Sequence, residues 1–368
     1  GNFEHLEGKY NVKEGFVEID VPLLDQSVVD QLSFNAALRV TDYSTSGLVE
    51  TWKVGLTSQI NPSIRLRGTV SRDIRAPNLN ELFSDGLSTR GSAIDPKTGR
   101  TEPVFTFSSG NRDLKPEKAT TWSGGIVLTP EMIPGFSLSV DYYSINLKDA
   151  IVSIGSSVVL ERCNAGDAHF CDQLVYDGPN GELGQIKTFP QNLAQLKVSG
   201  LDYQADYRLP LGPGTLNLRA VGNYIFNLSQ DQFGTLVRSA GAIGPDNGVT
   251  GVPRARVTTS ATYADGPLSA TVQGRFVGAS KLVYNWGPKD VDWNKVQARA
   301  YLDLRGSYQL SENLQLYATV DNLLNKEPPV VGASPLRGDS SYYFISTQAA
   351  GFYDMLGRMY RVGARLKF

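Results

Sequence analysis

Polar and apolar residues alternate along most of this 368-residue chain. At the C-terminus, Tyr360, Val362, Ala364, Leu366 and Phe368 fall on one face, and Met359, Arg361, Gly363, Arg365 and Lys367 on the other. A period of two with one apolar and one polar side is a strand signature. The same contrast runs through Phe34 to Val40, Trp52 to Ile60, Ile64 to Val70, Leu216 to Phe226, Leu268 to Gly278, Ala300 to Leu310 and Leu314 to Val320. The pattern predicts about thirteen strands, most near the ~9–11 residues that cross a bilayer at a tilt.

The predicted connections are unequal. Short turns rich in Asn, Asp, Gly, Pro and Ser sit near Asp25–Asp30, Asn61-Pro62, Pro130–Gly135, Pro210–Gly214, Asp265–Pro267 and Ser311–Asn313. Longer segments separate them: Asp73–Pro116, Asp149–Gln195, Leu228–Val252, Lys281–Val296 and Leu323–Arg358. Short turns at one end and long loops at the other describe an all-β, antiparallel, up-and-down transmembrane barrel. Its apolar face meets lipid and its polar face lines a wet lumen. The soluble alternatives are a large sandwich or a propeller. Long loops on every second connection are unusual in compact domains, and no fixed-period repeat marks propeller blades. On this phasing the last strand runs toward the short-turn side, which places Phe368 at the periplasmic end.

Composition sharpens the picture in three places. A formal net charge of −2 gives no support for nucleic-acid binding. No run of 18 or more apolar residues exists, which excludes a transmembrane helix but not a barrel, whose alternation keeps mean hydropathy low. The chain begins with Gly and carries no signal peptide, so it is expected to start inside a longer precursor.

Candidate chemistry is sparse. Cys163 and Cys171 are the only cysteines and share one long loop. In an oxidising compartment they are expected to pair, removing about 2.5 kcal/mol of chain entropy from the disordered state. His169 lies between them, so a Cys-His-Cys metal site is the alternative, although no fourth ligand is close in sequence. Arg72, Arg75 and Glu81 stand where the strand Ile64 to Val70 leaves the membrane. They either touch a ligand or form a rim network around a helical turn at Asn78–Phe83. Arg65, Arg67, Arg219, Arg275, Arg299 and Arg305 face the lumen, with Asp141, Asp202, Asp206 and Asp303 on comparable faces to pair with them. Trp52, Trp122, Tyr142, Tyr224 and Tyr360 suit interfacial girdles. Phe233, Trp286 and Trp293 fall in loops instead, as ligand contacts or as pins between loops.

Several ordered segments resemble TonB-dependent outer-membrane receptors, especially the alphaproteobacterial group. They are Tyr10 to Leu24, Ala37 to Gly47 with Thr51 to Leu56, and Ser71-Arg-Asp-Ile-Arg-Ala-Pro-Asn-Leu-Asn-Glu-Leu-Phe83. They continue with Gly110-Asn-Arg-Asp-Leu-Lys-Pro-Glu-Lys118, Val320-Asp-Asn-Leu-Leu-Asn-Lys-Glu-Pro328 and Gly357 to Phe368. The resemblance implies a 22-stranded barrel preceded by a plug and an energy-coupling box. Neither fits ahead of Tyr10, so residues 1–368 read as the C-terminal 13–14 strands, with plug and first strands absent.

The resemblance further implies a receptor of the Gram-negative outer membrane that takes up a scarce nutrient. Iron–siderophore complexes, haem, cobalamin and oligosaccharides are its ligand classes. Its partners are outer-membrane lipid, the TonB complex and the outer-membrane assembly machinery, which reads Tyr360 and Phe368 as an assembly signal. It implies no cofactor and no covalent catalysis. The runners-up are a passive diffusion channel of about fourteen strands, which needs Asn2–Tyr10 as a strand, and an outer-membrane enzyme. With only His5 and His169, no Ser/His/Asp arrangement suggests itself.

Overall fold

A computed structural model of the chain describes residues 7–178, 181–232, 234–246, 249–291, 293–330 and 351–367. Its main sheet has 14 strands. Thirteen follow one another as antiparallel neighbours in chain order: Val12–Asp25, Gln31–Tyr43, Gly47–Asn61, Ile64–Arg75, Glu117–Leu128, Phe136–Ser153, Pro190–Leu211, Gly214–Gln232, Ala255–Asp265, Leu268–Val277, Arg299–Ser311, Leu314–Asp321 and Met359–Leu366. The fourteenth, Thr235–Arg238, folds back on Gly214–Gln232.

The register keeps one phase across the sheet. Leu66, Ile126, Val140, Tyr203, Gly222, Val257, Phe276 and Ala300 are successive cross-strand partners, and they form an apolar row eight strands wide. One residue along, Arg67, Gly125, Asp141, Asp202, Asn223, Arg256, Val277 and Arg299 form the matching row on the other face. Successive side chains alternate, so a one-residue slip anywhere would carry charge into the apolar row. The apolar face is uncovered: Trp122 is 58% exposed and Val362 84%. No second sheet or helix layer packs on it among the described residues, as expected where lipid is the partner.

Val12–Asp25 and Met359–Leu366 are the two edges. Each has one neighbour among the described residues, so the sheet is open. Residues 7–11 are not strand and do not reach the last strand. Asn2 to Leu6 lie outside the described residues.

The unequal connections are present, with one exception. Tyr43 and Gly47 are joined on the long-loop side by three residues only, through a tight hairpin whose Gly47 sits at φ 77°. Only glycine adopts that left-handed conformation without strain.

The longest strands rise past the membrane. Pro190–Leu211 has 22 residues, Gly214–Gln232 19 and Phe136–Ser153 18, about twice the crossing length. Their outer ends carry a folded cap made from two long loops. Leu87–Ile94, Thr101–Ser108, Gln185–Thr188 and Leu174–Val175 form its four-stranded sheet. The pairing between Thr101–Ser108 and Gln185–Thr188 is parallel and joins the two loops. Beneath it lie the helices Ser156–Asn164 and Ala168–Cys171. Val104 from the first loop packs with Ile154, Val159, Phe170, Leu174, Leu183 and Ile186 from the second. The cap is thus a satellite core shared by both loops.

Asp95 sits inside the cap, fully buried, and accepts the Lys97 N–H at 2.8 Å. Burial pushes its pKa up, but hydrogen bonds from Lys97, Thr98 and Tyr176 outweigh it and hold the carboxyl below its ordinary value. Lys97 Nζ lies 3.4 Å above the Tyr176 ring and closes the same corner.

In the full-length protein, Leu183→Ala is expected to cost the cap about 2–5 kcal/mol. Limited proteolysis would then show new cleavage in residues 84–109 as well as 153–187; cleavage confined to the second segment would contradict a shared core. Because the folded Asp95 pKa lies below its unfolded value, its stabilisation is present above about pH 4 and is lost as pH falls through the folded value. Hydrogen exchange of the cap between pH 3 and 6 should show that acid limb flattened in Asp95→Asn.

Candidate ligand mouth and lumen wall

The polar face of the sheet is a belt of ion pairs across strands. Arg67 reaches over Gly125 to Asp141, with Nε–Oδ1 2.7 Å and Nη2–Oδ2 2.6 Å, and also donates to Ser139 Oγ at 3.0 Å. The reach requires glycine between them, since a Cβ at position 125 would collide with Asp141 Oδ1. Arg275 grips Asp303 at 2.7 and 3.0 Å and extends to Asp354 at 3.3 Å. Arg219 and Asp206 stand 3.7 Å apart. Arg361 pairs with Asp321.

At the rim, Arg75 binds Glu117 through both ends of its guanidinium, each at 2.7 Å, and Glu81 at 3.0 to 3.1 Å. Glu81 also receives the Asn78 N–H, while Asn78 Oδ1 receives the Glu81 N–H. That reciprocal capping box starts the helix Leu79–Phe83. Arg75 is thereby engaged in holding the strand exit. Arg72, grouped with it by sequence, alternates onto the other face. It pairs across strands with Trp52 and Thr120 and is exposed.

The end of the last long loop folds inward. Arg256 lies 5.6 Å over the Phe352 ring, and Asp354 takes Arg275. Tyr353 joins Ile243, Val277, Leu282, Val283 and Val296 in a second loop core, against which Trp286 and Phe352 pack. Burial pushes the Tyr353 phenol up to about 12, so it stays neutral. Beside Phe352 a recess of about 580 Å³ opens between wall and loops, lined among others by Arg67, Ser139, Asp141, Asp202 and Arg256. It offers both charge signs, an aromatic face and hydroxyl and amide donors, which suits a polar, multiply charged ligand or a docked polypeptide surface.

Of the other residues singled out by sequence, Trp286 is partly buried in the second loop core, and its carbonyl accepts Asn294 Nδ2 at 2.7 Å. Trp293 is 55% exposed. Phe233 and Phe368 lie outside the described residues. Tyr360 is 67% exposed on the apolar face of the last strand. Cys163 and Cys171 are joined in a disulfide, S–S 2.11 Å, which bridges the two cap helices. His169 faces Gln191 at 2.7 Å instead of any metal-ligand set. Among the described residues no group of three His, Cys, Asp or Glu side chains is placed to hold a metal. Sequence reading overlooked Phe352, Tyr353 and Asp354. The aromatic pair followed by Asp just before the final strand was the available signal.

Gly125→Ala is expected to push Arg67 off Asp141 and lower the stability of the assembled protein by about 1–3 kcal/mol. Gly124→Ala serves as control, because a Cβ there meets nothing nearer than Arg67 O at 3.9 Å. Urea midpoints of the two variants measure the difference, and equal midpoints would remove the close-approach role of Gly125.

The TonB dependent receptor-like, beta-barrel family model matches residues 8–323. The siderophore receptor PirA from Acinetobacter baumannii is 17% identical at TM-score 0.66, covering 98% of this chain and 46% of that one. A mutant of the ferric enterobactin receptor PfeA from Pseudomonas aeruginosa, in complex with enterobactin, is 18% identical at TM-score 0.68, with 98% and 46% covered. The copper transporter OprC is 14% identical at TM-score 0.56, with 98% and 48% covered. At such identities the likeness establishes the fold alone. Comparison with curated proteins gives no match. The chain spans about half the length of the solved structures it resembles. With most of its length matched by the family model and its strands in the family's up-and-down order, the chain belongs to the TonB-dependent receptors and carries their β-barrel domain.

Proposed function

We propose that this chain is the C-terminal barrel portion of a Gram-negative outer-membrane receptor that imports a scarce nutrient with work supplied by the TonB complex. The observation that carries this reading is the open sheet. Among the described residues thirteen strands in sequence order end in two edges with single partners, and hydrocarbon tolerates no such edge. This favours a wall closed by further strands of a larger receptor over a self-contained channel of about fourteen strands. A plug preceding the chain would then face the ionic lumen wall. The reaction is transport, with no covalent step.

The ligand class we favour is a ferric siderophore, because structural neighbours include a siderophore receptor and a ferric enterobactin receptor. Exposed Trp293 and the Arg256–Phe352 pair suit a charged, partly aromatic complex. Haem, cobalamin and oligosaccharide are the other classes within this reading. The cap and the second loop core form the outer mouth, where a ligand binds first.

In the full-length receptor, removing residues 84–109 together with 153–187 should abolish most uptake of radiolabelled ferric siderophore while heat-modifiable gel migration stays normal. Trp293→Ala should weaken binding about tenfold, or ~1.4 kcal/mol. Deleting Phe368 should do the reverse, blocking assembly with the binding groups untouched. Undiminished uptake after the double loop deletion would refute ligand capture by this mouth.

A further inference from the structure

We propose that the outer face of the barrel carries a binding site for a phosphate-bearing lipid headgroup, formed by Arg72, Lys118, Lys148 and Lys197. The proposal rests on the membrane reading above, which makes the long-loop ends of the strands the outer-leaflet side.

The four cations stand on four adjacent strands and on one face. Arg72 shares a cross-strand row with Trp52 and Thr120, and that row continues through Asn146 to Lys197. One row further out, Lys118 and Lys148 are direct partners. Strand spacing puts Arg72 and Lys197 about 14 Å apart, and directly opposed side chains such as Lys118 and Lys148 about 5 Å apart. Immediately inward lies the apolar row with Val54, Val70 and Trp122. The patch thus crowns the lipid-facing surface.

Two features distinguish it from a scatter of interfacial lysines. All four side chains are exposed, and among the described residues none is in an ion pair, whereas lumen arginines such as Arg67, Arg219 and Arg275 are paired. Like charges directly opposed on a sheet are destabilising unless something neutralises them. Beyond Lys197 the row passes to Ser229, which is paired in turn with Arg238 of the folded-back strand Thr235–Arg238. At the far edge Lys13 faces Asp42, its own counter-charge.

Acidic groups close to the patch are few. Glu50 lies one row beyond Trp52 and pairs with none of the four. Asp231 lies diagonal to Lys197 and accepts the Gly234 N–H at 2.9 Å. Four cations against two acids leave a net positive surface.

The occupant follows from charge and position. An anion is needed, with oxygens spread over about 10–15 Å, at the depth where acyl chains end. Phosphates on an acylated headgroup supply both, with Arg binding in bidentate fashion and the lysines as point charges. The chains of the same molecule would lie along Val54, Val70 and Trp122.

The test uses the full-length receptor in lipid nanodiscs. Probes are a bisphosphorylated acylated disaccharide, its dephosphorylated form and inorganic phosphate, with bound lipid read by native mass spectrometry. Wild type should retain the phosphorylated glycolipid, and the double variant K118Q/K148Q should bind it about tenfold more weakly. R358Q, a cation near the last strand outside the patch, should match wild type. Equal retention of both glycolipids, or equal loss in R358Q, would overturn the site. Displacement by inorganic phosphate alone would assign it to free anions and overturn the lipid source. Heat-modifiable migration is read on every sample. An embedded, heat-modifiable barrel without phosphate-dependent retention refutes the site and leaves the receptor reading standing; a protein that fails to embed refutes both.

Discussion

Hydrocarbon offers no water to an unpaired N–H or C=O, and each orphan there costs several kcal/mol. The antiparallel ladder is therefore the constraint from which the rest of this structure follows. It runs unbroken from Val12–Asp25 to Met359–Leu366, with register shifts absorbed in bulges such as that at Ser199/Gly200. Pairing between sequential neighbours needs only short turns on one side, and glycines in the left-handed region, including Gly212 and Gly266, supply two of them. The two edges are the places where the constraint is unmet among the described residues.

Once the ladder is in place, the two faces divide the chemistry. The outer face gains by remaining apolar, because lipid replaces the core that a soluble sheet would need. The inner face gains by crossing charges, because Arg67, Arg219, Arg275 and Arg361 each find a carboxylate on the adjacent strand or the one after. The Arg67–Asp141 contact shows how fine the fit is. Its arginine is nearly half exposed, so the pair itself adds little stability. Its value is positional: it lays a long side chain flat across Gly125 and shapes the wall beside the recess.

Beyond the membrane the same strands become a scaffold. Over-long strands lift the chain clear of the bilayer, and two loops distant in sequence share one core, with a disulfide inside the second of them. Long loops usually cost order, but these are ordered by one another. In the proposed receptor this gives the mouth a firm side, the cap, and a second side held by Tyr353, Asp354 and Arg275. The proposed headgroup site lies just below it.

The sequence by itself determined the strands, their phase and the side on which the loops fall. A period of two is a local property, and it survives in every segment from Phe34 to Leu366. It also contained the capping box at Asn78 and Glu81, because that motif closes over four residues. What it could not determine were contacts whose partners are far apart along the chain. Nothing local joins Val104 to Leu183, or Arg256 to Phe352. Arg72 and Arg75 look like one group when read in a line. They part onto opposite faces because their separation is odd, and only the register shows that Arg75 meets Glu117 while Arg72 joins Lys118, Lys148 and Lys197. The tertiary structure decided these things because side-chain neighbours on a sheet are set by pairing across strands, and loop cores by the closure of segments tens of residues apart.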